Sequence, residues 1–473
     1  MPNKETPAKG PSGKQLSSPG ATPSKPWAVF AFRDYTWLWL SGLTMMVTMN
    51  LRVLASGQWL YDETGDAATL GYLGAIQFVQ MPVALFGGVL ADTMDRKKLM
   101  VMTQVVAFVT TGLLALISAT GDLSPWHIYT ITGVTGIVNM LGNAARPAMV
   151  SRVVPKSYVQ SAVTINTTTM QIASVIAPLL FGEVYTRLGV TYTFGIAAVI
   201  AGVSVFNPFF IEASGTPEGG PRRMSVKVVR EGWGYILKHP ILPGLYMLDI
   251  GVTVVSFYRM LFPIFAESFY SCSPPGGENV CARQVGWLGS ANSVGAIAGG
   301  FMVLGASRFQ RKGVMVLWAT LAYSLLLFAF AVNRDLALGL AIVVGLGLTD
   351  AVTMVMRQTI VQLTTPDNLL GRASSAHSFA AMGANNVGQM EVAFMSGAVG
   401  AGPTMLIGGA VATGVTVLIW WGLAGIRKYR YIEGQAVVAP GGPAPRAQAV
   451  AGAPPDPRRY PDRQPASSRT RTP

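Results

Sequence analysis

The chain has 473 residues, of which 51% are hydrophobic and only 12% charged, about half the ~25% charged fraction usual for soluble domains. With a mean hydropathy of +0.42 and two cysteines, the composition excludes a mostly disordered chain, a disulfide-stapled scaffold and an ordinary soluble enzyme. A net charge of +13 would suggest nucleic acid in a soluble protein, but no basic, aromatic-interleaved domain remains outside the apolar segments, so no nucleic-acid partner is expected.

Residues 1–33 begin as a Pro-, Ser-, Gly- and Lys-rich stretch without an apolar core, which reads as a disordered tail and not as a signal peptide. A helix needs ~20 mostly apolar residues to cross the hydrocarbon of a bilayer. Twelve such spans follow, near 36–60, 69–91, 99–120, 126–146, 160–184, 190–211, 241–266, 285–305, 313–332, 336–357, 374–399 and 403–425. Between the sixth and seventh lies a basic loop, 212–240, holding a PEGGPRR stretch and a potential amphipathic helix over Val226–Leu237. Residues 431–473 form a second low-complexity tail, rich in Pro, Ala and Arg, suited to solvent or to anionic lipid headgroups.

The basic residues test this arrangement. With the N-terminus inside, thirty Lys and Arg fall in cytoplasmic segments and only Arg187, Arg283 and Arg334 in outer loops. Such asymmetry predicts that both termini are cytoplasmic. Two features also recur at nearly one offset. The pair Gly87-Gly88 leads to Arg96-Lys97-Lys98, and Gly299-Gly300, 212 residues later, leads to Arg311-Lys312. Arg146 precedes Pro155 by nine residues, and Arg357, 211 residues later, precedes Pro366 by nine. The fold expected is an all-α membrane protein of two pseudo-symmetric six-helix bundles, 34–211 and 241–430, which implies alternating access around a midplane site.

The first inner loop reads Gly88-Val89-Leu90-Ala91-Asp92-Thr93-Met94-Asp95-Arg96-Lys97-Lys98. It resembles the G-x-L-A-D-x-x-G-R-K signature of the major facilitator superfamily, with Asp95 in place of the usual Gly. The resemblance implies that Gly88, Asp92 and Arg96, with Arg146 and Arg357 at the equivalent inner ends, serve an inner-gate latch. A second block, Arg357-Gln358-Thr359 … Pro366-Asp367 … Gly371-Arg372, with Phe32-Arg33-Asp34-Tyr35 and Lys238-His239-Pro240, is similar to the enterobactin-exporter-like branch, which also includes transmembrane secretion effectors and macrolide-efflux-like proteins. That likeness covers roughly residues 28–430. Span five carries Ala177-Pro178-Leu179-Leu180-Phe181-Gly182, a partial match to the G-P-x-x-G-G stretch of drug:proton antiporters. Pro178 is expected to kink its helix.

Ionisable groups in hydrocarbon cost ~2.5 kcal/mol or more and usually face a cavity. Counting ~1.5 Å per residue places Arg52 and Glu391 in an outer layer, and Asp249 and Asp350 in an inner one. Asp249 or Asp350 is expected to carry an exchanged proton or to meet a cationic group of the substrate. The alternative is that Asp350 pairs structurally with Arg146 or Arg357. Arg52 and Glu391 could form an outer-gate ion pair or a carboxylate-recognition site. Arg259, counted near the outer interface, is expected to snorkel, unless it lines an outer vestibule with Tyr258. Asn50 is expected on the substrate path.

Cys272 and Cys281 flank a Pro-Pro-Gly-Gly turn in an outer loop and can close a disulfide. The sequence holds no Walker loop, nucleophile elbow or metal cluster, so no enzymatic activity, metal or cofactor is expected. The reading is a monomeric secondary transporter of the bacterial inner membrane that exports an amphipathic, drug- or siderophore-like molecule against protons. Its rivals are a facilitator or importer of a nutrient or lysolipid-like solute, and a non-transporting receptor or scaffold on the same fold.

Overall fold

The computed structural model describes residues 26–83, 94–142, 145–216, 234, 236, 237, 239, 241–273, 280–305, 311–365, 367–423, 426, 427, 430–432 and 435–437. Gly88 and Asp92, most of the loop 212–240, and nearly all of both tails lie outside them.

The described chain is helical almost throughout. The first half comprises α1 (Arg33–Thr64), α2 (Ala68–Gln80), α3 (Arg96–Thr120), α4 (Pro125–Gly142), the short α5 (Ala145–Val153) and α6 (Val159–Phe206). The second comprises α7 (Leu242–Val255), α8 (Phe262–Phe269), α9 (Cys281–Gly305), α10 (Lys312–Val332), α11 (Leu336–Thr364), α12 (Asp367–Val399) and α13 (Ala401–Gly422). The described part of each expected span is helical apart from short breaks, the seventh being interrupted after Val255; residues 84–91 of the second span, 143–144 of the fourth and 424–425 of the last lie outside the described residues. Among the described residues eight stretches are long and apolar enough to cross a membrane. One of these, Lys156–Phe210, runs for 55 residues and reverses at Gly189, whose φ of 81° suits glycine alone without strain. Before the reversal α6 runs alongside α1: Tyr35 donates to the Ala162 carbonyl at 2.9 Å and Tyr185 to Asp62 at 2.9 Å. After it α6 runs back, so that Thr48 meets the Ala197 carbonyl and Asn207 meets Thr44.

Local chemistry explains the helix boundaries. Gly65 and Gly121, at φ 62° and 81°, close α1 and α3 in the left-handed conformation. Asp95 caps α3, accepting from the backbone N–H groups of Lys97 at 2.8 Å and Lys98 at 3.2 Å. The departure from the signature is therefore a gain of helix capping. Arg96 reaches across to the Ala148 carbonyl of α5 at 3.2 Å.

We call the end where α1 begins and α13 finishes proximal, and the opposite end distal. At the proximal end Asp34 accepts from the N–H groups of Glu212 and Ala213, tying the first and sixth spans over a cluster that includes Tyr35, Leu38, Leu99 and Met149. Just beyond α13, Arg430–Ile432 pairs antiparallel with Gln435–Val437. This small hairpin stands where the composition predicts a disordered tail, and its Tyr431, Ile432 and Val437 are strand-favouring residues.

The two halves meet along two seams lined by small residues. In one, Pro178 and Gly182 of α6 lie on Gly286 and Gly289 of α9. There Ser290 and Ser293 donate to the carbonyls of Val175 at 2.7 Å and Ser174 at 2.8 Å. In the other, Gly74 of α2 presses on the backbone of Met390 in α12, Gly71 on the ring of Phe394, and Asn386 donates to the Gln77 carbonyl at 3.3 Å. Small residues let membrane helices approach to backbone contact. The contacts at Gly71, Gly74, Gly182 and Gly397 close the distal end.

Candidate functional site

The seventh span is broken, and the break builds the site. Helix α7 stops at Val255, a 3-10 turn follows over Tyr258–Leu261, and Pro263 opens α8. Three local causes act together. Ser256 donates back to the Val252 carbonyl at 2.5 Å, a bond that bends helices. Pro263 supplies no N–H to the turn behind it. The freed Ser256 carbonyl is taken instead by the Tyr258 N–H at 2.7 Å and by the Tyr323 hydroxyl at 2.9 Å. Gly388 of α12 makes room for the displaced backbone: a Cβ there would stand 2.6 Å from the Thr253 carbonyl.

Beside the break lies a cavity with about 150 Å³ open to water-sized solutes. Asp249, Val252, Thr253 and Ser256 face it from α7 and its end, and Asp350, Thr353, Met354 and Arg357 from α11. Both sets are spaced three and four residues apart, as one helix face requires. Tyr258, Arg259, Tyr323 and His377 complete the polar and aromatic wall. All the described lining residues belong to the second half.

Asp249 and Arg357 form a buried ion pair at 2.5 Å, supported by Thr253 donating to the same carboxylate oxygen at 3.3 Å. Asp249 Oδ2 and Arg357 Nε have no hydrogen-bond partner. Asp350 is exposed toward the cavity and forms no ion pair with Arg357 or Arg146. Its expected structural pairing is thus replaced by the pairing of Asp249. Arg146 instead lies over Gly42 and donates to the Ser41 carbonyl at 3.4 Å. Of the two places expected for Arg259, the structure gives the one beside Tyr258: both residues line the cavity just beyond the break, and the Arg259 guanidinium lies 5.1 Å from the centroid of the Phe257 ring. Tyr258 is buried, and its hydroxyl accepts from Asn292. Asn50 turns back onto its own helix, donating to the Met46 carbonyl at 2.9 Å.

Arg52 and Glu391 are not brought together. Arg52 is buried in α1 and Glu391 is partly buried in α12, and no ion pair joins them. The reason is rotational: Asn386, Met390 and Phe394 turn toward α2, and Glu391 sits ~100° around the helix from Met390. Among the described residues, the ion pair that bridges the halves at the distal end is Arg283–Glu183, 3.1 Å, which joins a charge expected in an outer loop to one at the end of the fifth span. Cys272 and Cys281 are joined by a disulfide with Cα atoms 4.7 Å apart.

Sequence reasoning misses His377, because a single histidine at the start of an apolar run carries no spacing signal. In the structure it is buried on the cavity wall, edge-on to Tyr246 with 5.3 Å between centroids, and its Nδ1 has no partner. As a whole the site offers two carboxylates, two guanidiniums and an imidazole to a small solute, behind a closed distal end.

Comparison with known proteins agrees with this architecture. The profile of the Major Facilitator Superfamily matches residues 38–389. Among characterised relatives, the enterobactin exporters EntS of Escherichia coli O127:H6 and O1:K1 are each 27% identical over 348 residues, 73% of this chain and 79% of theirs. Among solved structures, a point mutant of the nucleoside transporter NupG superposes with a TM-score of 0.66 at 12% identity, covering 82% of this chain and 99% of its own. A bacterial homolog of the human lysosomal transporter Spinster, solved inward-facing and unoccupied, gives 0.61 at 13% identity, covering 85% and 99%.

Proposed function

Because the chain belongs to the major facilitator superfamily, and is a multi-pass secondary transporter, we propose that it exports an amphipathic, siderophore- or drug-like molecule across the bacterial inner membrane in exchange for protons. In this reading it works as a monomer with both termini in the cytoplasm. The proximal end then faces inward and the distal end outward, as the distribution of Lys and Arg supports.

The observation that carries the reading is a cavity furnished with Asp249, Asp350, Arg259 and Arg357 in a two-bundle protein whose halves are zipped together at the distal end. Ionisable groups within membrane spans are costly, usually face a cavity and mark a solute or proton pathway. Efflux, and a siderophore-like cargo, are favoured by the relatives named as enterobactin exporters. Asp350 is the proton-exchanging group in this scheme, being open to the cavity, and Asp249 is its neighbour, held in the ion pair with Arg357.

The test measures accumulation of siderophores and drugs in cells with and without the protein, each with and without an uncoupler. Accumulation should fall on expression and recover with the uncoupler. Asp350→Asn should abolish the proton-driven part in everted vesicles. Unchanged accumulation across the panel would reject export, and uptake in place of efflux would favour the facilitator or importer.

A further inference from the structure

The charges of the cavity are arranged in order. Along the seventh span Asp249 comes first and Arg259 ten residues later, beyond the break. Helix α11 runs antiparallel and presents the complementary order: Arg357 lies opposite Asp249, and Asp350 sits seven residues deeper, ~10 Å along the axis. The proximal couple is closed. The deep couple is open, since Asp350 and Arg259 are both exposed to the cavity and neither makes an ion pair with any described residue.

Each member of this couple is therefore available to a solute in the cavity. Asp350 is fixed within a long helix, and Arg259 stands on the 3-10 turn with its guanidinium laid against Phe257. Nearby, Asp249 Oδ2, Arg357 Nε and His377 Nδ1 lack partners, although buried polar atoms are normally satisfied. The tyrosines 258 and 323 add aromatic faces to the wall, which suit a cation. The space of about 150 Å³ is ample for a compact polar group.

We infer that this cavity receives a dipolar head group, its cationic end at Asp350 and its anionic end at Arg259, while the apolar remainder of the solute lies outside it. The inference names the polar chemistry of the solute in the proposed transport reading and rests on that reading for its role, but occupancy itself can be measured without transport. A singly charged group satisfies one member of the open couple and leaves the other unmet. A group carrying both charges satisfies both.

The experiment uses the full-length protein in lipid nanodiscs and three matched probes: β-alanine, which carries both charges, propionate, which carries only the negative one, and propylamine, which carries only the positive one. Affinities are measured by calorimetry and by thermal stabilisation. β-Alanine should bind at least tenfold more tightly than either singly charged probe. Asp350→Asn should reverse the preference toward propionate, and Arg259→Gln toward propylamine, in variants whose size-exclusion profile and circular dichroism match the parent. Equal binding of the three probes, absence of β-alanine binding, or unaltered selectivity in both variants would overturn the inference. Export that persists without dipolar selectivity would sink this inference alone. Dipolar binding without any transport would sink the transport reading alone.

Discussion

The seam between α2 and α12 makes a sharp prediction. In Gly74→Ala the new Cβ would stand 2.6 Å from the backbone nitrogen of Met390 and 3.0 Å from Gln389 Cβ. Ordinary contact begins near 3.4 Å, so the methyl group intrudes by 0.8 Å. The obstacle is main chain and cannot turn aside, so the helices have to separate. Overpacking of this kind costs ~1–3 kcal/mol, and the cost falls only on the state in which the distal end is closed. At ~1.4 kcal/mol per tenfold change in an equilibrium, the population should shift toward the distal-open form by ~5- to 150-fold. The only two cysteines of the chain are consumed in the Cys272–Cys281 disulfide, so spin labels can be placed selectively on cysteines introduced at Glu63 and Val399. Electron–electron resonance should report a longer distance across the distal end in Gly74→Ala. Gly57→Ala is the control, because a Cβ there meets nothing within 4 Å. An unchanged distance distribution in Gly74→Ala, or the same change in the control, would refute the seam as a determinant of closure.

Other consequences can be measured separately. Asp249→Asn strands the buried Arg357 charge and should lower stability by ~3–5 kcal/mol, whereas Asp249→Asn combined with Arg357→Met should recover most of it; thermal unfolding in detergent decides. Removing the disulfide by Cys272→Ser releases a short loop and should cost at most ~2–3 kcal/mol, with hydrogen exchange rising around residues 270–281 and not in α11. Burial holds the His239 imidazole below its ordinary value, while its Nδ1 accepts from the N–H groups of Ile241 and Leu242 at 3.3 and 3.4 Å. The unfolded chain therefore binds the proton first, and the stability of the start of α7 should fall as the pH drops through ~6.5. His239→Asn should flatten that dependence in melts taken between pH 7.5 and 5.5; an equally steep dependence in the variant would exclude His239 as its source.

Much of the architecture is legible because hydrocarbon imposes length and apolarity on every crossing segment. The spacing of Asp249 and Asp350 on their helices is legible for the same reason, and the cavity receives both. What the sequence conceals is backbone geometry. The break at Ser256–Phe257 depends on a serine bonding to its own helix and on a tyrosine from another span, and residue counting cannot register either. Glu391 shares a depth with Arg52, but depth carries no angular information, and neighbouring positions on α12 face different partners. Pro178 reads as a generic kink. Its contact with Gly286 and Gly289 shows that the partial antiporter-like stretch forms a joint between the halves. Arg283 and Glu183 are ordinary loop-edge charges until the fold sets them 3.1 Å apart.

Every described residue that lines the charged chamber belongs to the C-terminal half. When one bundle pivots against the other, the chamber travels with its host as an intact compartment. Its intrinsic hold on a bound head group need not differ between the two faces of the membrane, so the direction of net movement has to be imposed by concentration and by the coupled ion.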